Sequence, residues 1–328
     1  MKIIRYSVLV LGLLLPFFSA GQDHTFSQFY SSPMFLNPSL AGNTECARLS
    51  LNYRNEWPSI PAAFNTYQIV YDQSLPSISS GYGVMIFRDS QSDDAFTRTH
   101  LAAAYSYQVK VSEDFILNWG LQATYIQNSL QWNNLIFADQ INTDGSINSS
   151  TNETPPESNQ VSFADFSAGM SFDWKENYYG GFAVHHMNEP MNSFYENEIS
   201  LLNRKYSFHA GAVFEHDPAI HSKKSVYVSP NIMYQQQGEF QQLNAGLYVT
   251  IKPIVAGVWF RHNFDNPDAA IILLGLQHNN FKVGYSYDYS LSGLGGTLGA
   301  AHEVSLSYNF CVYVEKRRKV RAIKCPEF

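Results

Sequence analysis

The adjacent pair His185 and His186, with Glu189 close behind, is the stretch most suggestive of metal binding. Imidazole and carboxylate groups are common metal ligands. In a strand, however, neighbouring side chains point to opposite faces, so these two histidines cannot readily bind one ion. The pattern favours polar residues at a strand end, on an aqueous rim.

His100 follows Asp93 and Asp94, a combination that could serve general acid–base catalysis. The competing interpretation is a polar loop that leads into a lumen wall. The chain has no G-x-S-x-G, H-E-x-x-H, P-loop or EF-hand pattern. The sequence therefore predicts a protein that is not an enzyme and needs neither metal nor cofactor.

Tyr53 and Arg54 are candidates for binding a protein partner. Equally, Arg54 could be a charge inside a barrel, where it would need a carboxylate because a buried unpaired guanidinium is costly. The residues alone leave both interpretations open.

The C-terminal tail is basic, with six Lys or Arg and two Glu between Glu315 and Phe328. Its cluster of four cations could stop the last strand, contact periplasmic partners or peptidoglycan, or remain solvated; it comprises Lys316, Arg317, Arg318 and Lys319. The net charge of −7 over 328 residues argues against a nucleic-acid partner.

The first 21 residues have the features of a secretory signal peptide. Lys2 and Arg5 precede an apolar run from 6 to 18, and small residues surround the expected cleavage after Gly21. The residue directly after the cleavage site is not a cysteine, which disfavours a lipid anchor. We expect export to an oxidising compartment.

Apolar residues at every second position dominate the exported part. Phe115, Leu117, Trp119 and Leu121 alternate with polar or small residues, as in strands with two unlike faces. Such strands are long, and aromatic residues gather near their ends, as in outer-membrane barrels. The pattern predicts an all-β, antiparallel transmembrane outer-membrane barrel of about 14 strands, near 46–57, 65–75, 81–89, 96–110, 114–128, 160–174, 177–186, 204–216, 223–235, 239–251, 254–264, 268–278, 280–290 and 300–313.

Connections alternate in length between the two ends of this predicted barrel. The longest are 129–159 and 187–203, and tight turns lie mostly at the other end. Short turns are periplasmic in such barrels, so both termini are expected in the periplasm. The predicted parts are a periplasmic segment over 22–45, the barrel over 46–314 and the basic tail over 315–328, and the long loops offer Phe194 and Tyr195 as aromatic anchors for a partner.

Three cysteines allow one disulfide and leave one thiol. Cys46 opens the first strand and Cys311 closes the last, and these strands are neighbours in a closed barrel. Cys325 lies on the tail and is an alternative partner for either. We expect a disulfide that includes Cys46, and the sequence leaves both Cys311 and Cys325 as its partner.

Several blocks resemble the PorP/SprF family. They are D-H-T-F-S-Q-F-Y at 23–30, N-P-S-L-A-G at 37–42, L-N-Y-R-N-E-W-P at 51–58, H-E-V-S-L-S-Y-N-F at 302–310 and the closing C-P-E-F. Glu56 stands where the family usually has Gln. The resemblance extends over essentially the whole exported chain.

This resemblance implies a barrel in the outer membrane, in contact with its lipid, that belongs to the type IX secretion system of Bacteroidetes. Some members of the family resemble core secretion components that link the outer membrane to the periplasmic ring. Others assist export of one large adhesin and hold its C-terminal domain at the surface. We expect the second role, with the core role as the alternative and a diffusion porin as a further one.

Overall fold

The chain forms one closed barrel of fourteen antiparallel strands, and the prediction from sequence is confirmed. The computed structural model describes residues 22–60, 63–216, 225–264, 266–291, 300–311 and 323. The strands are β1 (Ala47–Glu56), β2 (Phe64–Leu75), β3 (Ser80–Gln91), β4 (Phe96–Lys110), β5 (Phe115–Leu130), β6 (Gln160–Trp174), β7 (Tyr178–His185), β8 (Lys205–Ala212 and Phe214–His216), β9 (Val226–Gln237), β10 (Phe240–Ile251), β11 (Ile254–Asn263), β12 (Asn266–His278), β13 (Phe281–Ser290) and β14 (Ala301–Phe310).

Each strand pairs with its neighbours in sequence, and β1 pairs with β14 to close the barrel. Ala47 lies opposite Phe310, and Glu56 lies opposite Ala301. The two parts of β8 both pair with β9, so they form one strand interrupted at Val213. Among the described residues every strand therefore has a neighbour on both sides, so the sheet has no edge strand that a hydrocarbon environment could not satisfy.

The alternation seen in the sequence separates an apolar outer face from a polar lumen. On β5, Trp119, Leu121 and Tyr125 point outward with exposed fractions of 52%, 68% and 51%. Between them, Gln122 and Thr124 are buried in the lumen. None of the helices in the described ranges is long and apolar enough to cross a membrane.

The two ends of the barrel differ. One, which we call the loop end, carries the connections 131–159 and 186–204. The other, which we call the turn end, holds the start of β1 and the finish of β14, with turns such as 252–253 and 279–280. Short helical turns complete the described chain, at Phe29–Ser31, Pro33–Leu36 (α1), Pro38–Leu40, Pro76–Ile78, Trp132–Asn134 and Ala138–Gln140.

The core lies inside the barrel, because residues 22–45 fill the lumen; we call this segment the plug. Phe29 and Leu36 of the plug pack with Trp259 and Leu273 of the strands. A second cluster joins Met34 of the plug to Met85 and to smaller apolar side chains such as Val70 and Ala102. The plug therefore supplies the apolar contacts that an empty polar lumen would lack.

The position of the plug differs from the expectation of a periplasmic segment. Asp23 lies at the loop end, where its N–H donates to Gln237 (2.9 Å). Gly42 lies near the turn end, where its N–H donates to Asp72 (2.9 Å). The segment thus runs the length of the lumen, because its polar groups find partners on the strands.

Candidate functional site

Close contacts fix the middle of the plug. The Asn37 side chain donates to the carbonyls of Met170 (3.0 Å) and Phe182 (3.3 Å). Gly169 and Gly120 face the plug so closely that a Cβ at either would collide with Asn37 or with the backbone of Ser39. Glycine is required where two backbones approach in this way.

An ionic network holds the upper part of the plug near the loop end. The Ser27 N–H donates to Glu303 (2.7 Å), and its hydroxyl accepts from Arg54 (2.6 Å) and Arg261 (2.8 Å). Arg54 and Arg261 both pair with Asp288, at 3.1 Å and 3.2 Å. Arg54 also pairs with Glu303 and Glu56, and Arg261 with Asp268, so each cation has carboxylate partners that limit the cost of burying its charge.

A second cluster lies at the tip of the plug. Asp23 pairs with Arg98 of β4 (3.1 Å) and with His186 (2.6 Å), which follows β7. The other ring nitrogen of His186 lies 3.0 Å from Asp165. Burial alone would lower the pKa of His186, but the two carboxylates more than offset it and raise the pKa to about 9. His186 is therefore protonated at neutral pH and links the plug to β6.

The structure does not bring Tyr53 and Arg54 together on one surface. Arg54 points into the lumen and is 2% exposed, paired as described with Asp288 and Glu303. Tyr53 points outward and donates to Asn65 (2.9 Å). Of the two interpretations of Arg54, its position corresponds to the lumen charge.

Phe194 and Tyr195 lie in the connection 186–204 at the loop end. The Phe194 ring packs edge-on against Phe96 of β4, with centroids 6.3 Å apart. The Tyr195 hydroxyl donates to the carbonyl of Thr154 (2.9 Å), which joins the two long loops. The side chain of Tyr195 remains at the surface.

The connection 131–159 has internal structure, although its polar composition favours a mobile loop. Ile141 and Ile147 form a β-bridge. The Asp139 carboxylate accepts from the Thr151 hydroxyl (2.9 Å) and the Asn152 N–H (2.6 Å). Local hydrogen bonds thus give the polar loop a defined conformation.

At the turn end, a disulfide joins Cys46 to Cys311, with Cα atoms 5.0 Å apart. It links the entry of β1 to the exit of β14, the seam at which the barrel closes. Three of the sequence predictions lie outside the described residues. They concern Cys325, the predicted signal peptide over residues 1–21, and the basic cluster of Lys316, Arg317, Arg318 and Lys319.

The histidine candidates have separate structural roles. His186 binds two aspartates, whereas Glu189 pairs with Arg204 (2.9 Å). His100 packs on Phe87, whereas Asp94 accepts from Ser90 and pairs with Arg88 (3.3 Å). In the described ranges, no three histidine, cysteine or acidic residues are placed to hold a metal ion.

A cavity of about 460 Å³ remains between the plug and the strands at the loop end. His24 and Phe35 of the plug line it, together with Phe87, His100 and Lys205 of the strands. Sequence reasoning missed this cavity and most of the plug's partners. A signal existed for Asp288 and Glu303, which are carboxylates on the lumen-facing side of predicted strands and could meet Arg54.

An apolar exterior, a polar lumen and complete closure define the class as a membrane β-barrel with an internal plug. The model of a family described as type IX secretion system membrane protein PorP/SprF matches residues 18–308. The chain belongs to this family, and it is an outer-membrane barrel of the secretion system.

A solved structure supports the fold. The toluene transporter TbuX of Ralstonia pickettii is similar with a TM-score of 0.52 at 9% identity, covering 85% of this chain and 94% of that one. The Pseudomonas putida toluene transporter TodX is similar with a TM-score of 0.48 at 8% identity, covering 84% and 93%. A comparison with curated proteins gave no match.

Proposed function

We propose that this barrel assists export of one secreted adhesin-like protein and holds that protein's C-terminal domain at the cell surface. The observation that carries the proposal is the plug. It fills the lumen along its length and is held there by the ion pairs of Asp23 with Arg98 and His186, while the long loops remain available at one end. A barrel of this kind is suited to binding a partner, and not to catalysis or to acting as the main conduit.

The proposed binding surface is the pair of long loops. They carry Asn, Ser and aromatic side chains on a rigid barrel, and loops on rigid scaffolds commonly carry recognition. Tyr195 joins the two loops, and Phe194 fixes one of them to β4. In this proposal the loop end is extracellular, and the cations of the basic tail bind other secretion components on the periplasmic side.

The test is deletion of the gene. One large surface protein should be lost from cells, degraded or shed, while other type IX cargo is exported normally. Loss of all cargo would exclude the anchoring role and support a core secretion role. Single-channel recording distinguishes this proposal from the porin alternative. A plugged barrel should show no steady diffusive conductance, whereas an open porin should.

A double variant, Phe194→Ala with Tyr195→Ala, localises the surface. It should release the adhesin without reducing the amount of barrel in the membrane. Tyr125→Ala is the matched control, since Tyr125 lies on the outward face of β5. Adhesin retained by the double variant and lost in the deletion would place the binding surface elsewhere on the barrel.

A further inference from the structure

The cavity at the loop end has an accessible rim and an enclosed base. Glu56, Trp57, Phe64 and Phe96 form part of its rim, and all four are half-buried at strand ends. Its volume of about 460 Å³ lies within the range of small-ligand sites. A short peptide end or a similarly sized molecule could therefore enter from the loop side.

Most charged groups that line the cavity already have partners. Asp23 is shared between Arg98 and His186, and Asp165 also binds His186. Asp89 accepts from the Thr66 hydroxyl at 2.7 Å and from Gln91. Glu56 pairs with Arg54 at 3.4 Å. None of these described carboxylates lies within ion-pair distance of the one remaining cation in the lining.

Lys205, the first residue of β8, is that remaining cation. It is 5% exposed and lines the cavity, and no described residue hydrogen-bonds or ion-pairs with its ammonium. Asp23 attracts it only through space and is already shared. A buried ammonium without a counter-ion is costly, so an anion in the cavity would be strongly favoured.

An aromatic wall stands beside this ammonium. Lys205 Nζ lies 5.1 Å from the centre of the Phe35 ring, which stacks on Phe87 at 5.6 Å. His100 continues the wall, 4.9 Å from Phe87. The Nε2 atoms of His24 and His100 are buried and have no hydrogen-bond partner. The base of the cavity thus combines an apolar surface with unused polar groups.

We infer that this cavity binds a carboxylate that is joined to an apolar group. The carboxylate accepts from Lys205, and the apolar group packs on Phe35 and Phe87. Two sources share this chemistry: the C-terminal end of a polypeptide with an apolar last residue, and a fatty acid. The inference stands on the cavity alone and does not depend on the adhesin proposal.

The test is calorimetric titration of the full-length protein in detergent, with empty micelles as the blank. The probes are the peptide N-acetyl-Ala-Ala-Phe as the free acid, the same peptide as the C-terminal amide, and decanoate. The free acid should bind ~10-fold or more tightly than the amide, because the amide cannot accept a charge-assisted hydrogen bond from Lys205 through a carboxylate. Binding of the acid peptide or of decanoate identifies the source.

Lys205→Gln should abolish the preference for acid over amide, and Lys205→Arg should keep it. Arg204→Gln is the matched control, since Arg204 is an exposed cation paired with Glu189. Heat-modifiable migration on gels verifies that each variant is folded. Equal binding of acid and amide by the wild type, an unchanged preference in Lys205→Gln, or no binding of any probe would overturn the inference. Adhesin loss on gene deletion is a separate readout, so either proposal can fail alone.

Discussion

The backbone N–H of Ser27 donates to the carboxylate of Glu303 at 2.7 Å, although the two residues are 276 positions apart in the chain. Glu303 lies on β14, opposite Arg54 of β1 in the register that closes the barrel. Arg54 also reaches the Ser27 hydroxyl. The two strands of the seam therefore hold the plug between them, which couples closure of the barrel to placement of the plug.

Removing one charge from this network should be costly. Arg54→Gln leaves the buried Glu303 without its cation, so it should lower the free energy of unfolding by about 3–5 kcal/mol. Glu303→Gln should cost less, because Arg54 keeps its ion pairs with Asp288 and Glu56. The double variant should lose less than the sum of the two, because it removes both members of a pair. Guanidinium titration followed by tryptophan fluorescence gives these values.

The control for this charge cycle is Arg88→Gln. Arg88 pairs with Asp94 at 3.3 Å, but both side chains are about half exposed. An exposed pair contributes at most about 1 kcal/mol, so this variant should remain near the wild type. Strictly additive losses at Arg54 and Glu303 would mean that the two residues do not act as a pair.

The disulfide at the seam should form in protein taken from cells. Peptide mapping by mass spectrometry should find Cys46 linked to Cys311 and a free thiol at Cys325. Cys46→Ser should destabilise the barrel by about 2–4 kcal/mol, because the link restricts the unfolded chain over a long loop. Cys325→Ser is the control and should leave stability unchanged. A Cys46–Cys325 peptide would contradict this pairing.

The strands were predictable from sequence, and no strand bound differs from the prediction by more than three residues. Alternation is a local signal: Trp119 and Leu121 reveal the outer face of β5 without reference to any other strand. The signal is strong because lipid and lumen impose unlike side chains on the two faces.

The plug was not predictable in the same way, because its contacts are non-local. Asn37 binds carbonyls more than 130 positions away, and Ser27 binds the last strand. For Arg54 the sequence predicts the type of partner, a carboxylate, but only the closed barrel shows which one. Lys205 gives no signal at all, since the absence of a counter-ion is apparent only once the lumen is assembled.

Stability should depend on pH through His186. Its folded-state pKa is raised to about 9, above the unfolded value near 6.5. A raised pKa contributes stability that is complete below about pH 6.5 and is lost as the pH rises through about 9. The free energy of unfolding, measured by denaturant titration at each pH, should fall across that window by roughly 1–3 kcal/mol.

His186→Gln should flatten this dependence, because glutamine keeps hydrogen-bonding capacity but cannot titrate. His278→Gln is a suitable control, because His278 lies at the turn end of β12, away from the cluster. The same fall in stability in wild type and His186→Gln would assign the pH dependence to other groups.

The orientation of the barrel in the membrane can be measured by labelling its two ends. Barrels of this class place long loops outside the cell and short turns in the periplasm. Ser149 is exposed in the loop 131–159, and Ser112 is exposed in the turn between β4 and β5 at the opposite end. In a Cys325→Ser background, Ser149→Cys should react with an impermeant maleimide on whole cells. Ser112→Cys, the matched control, should react only after the outer membrane is broken, and the opposite pattern would reverse the topology.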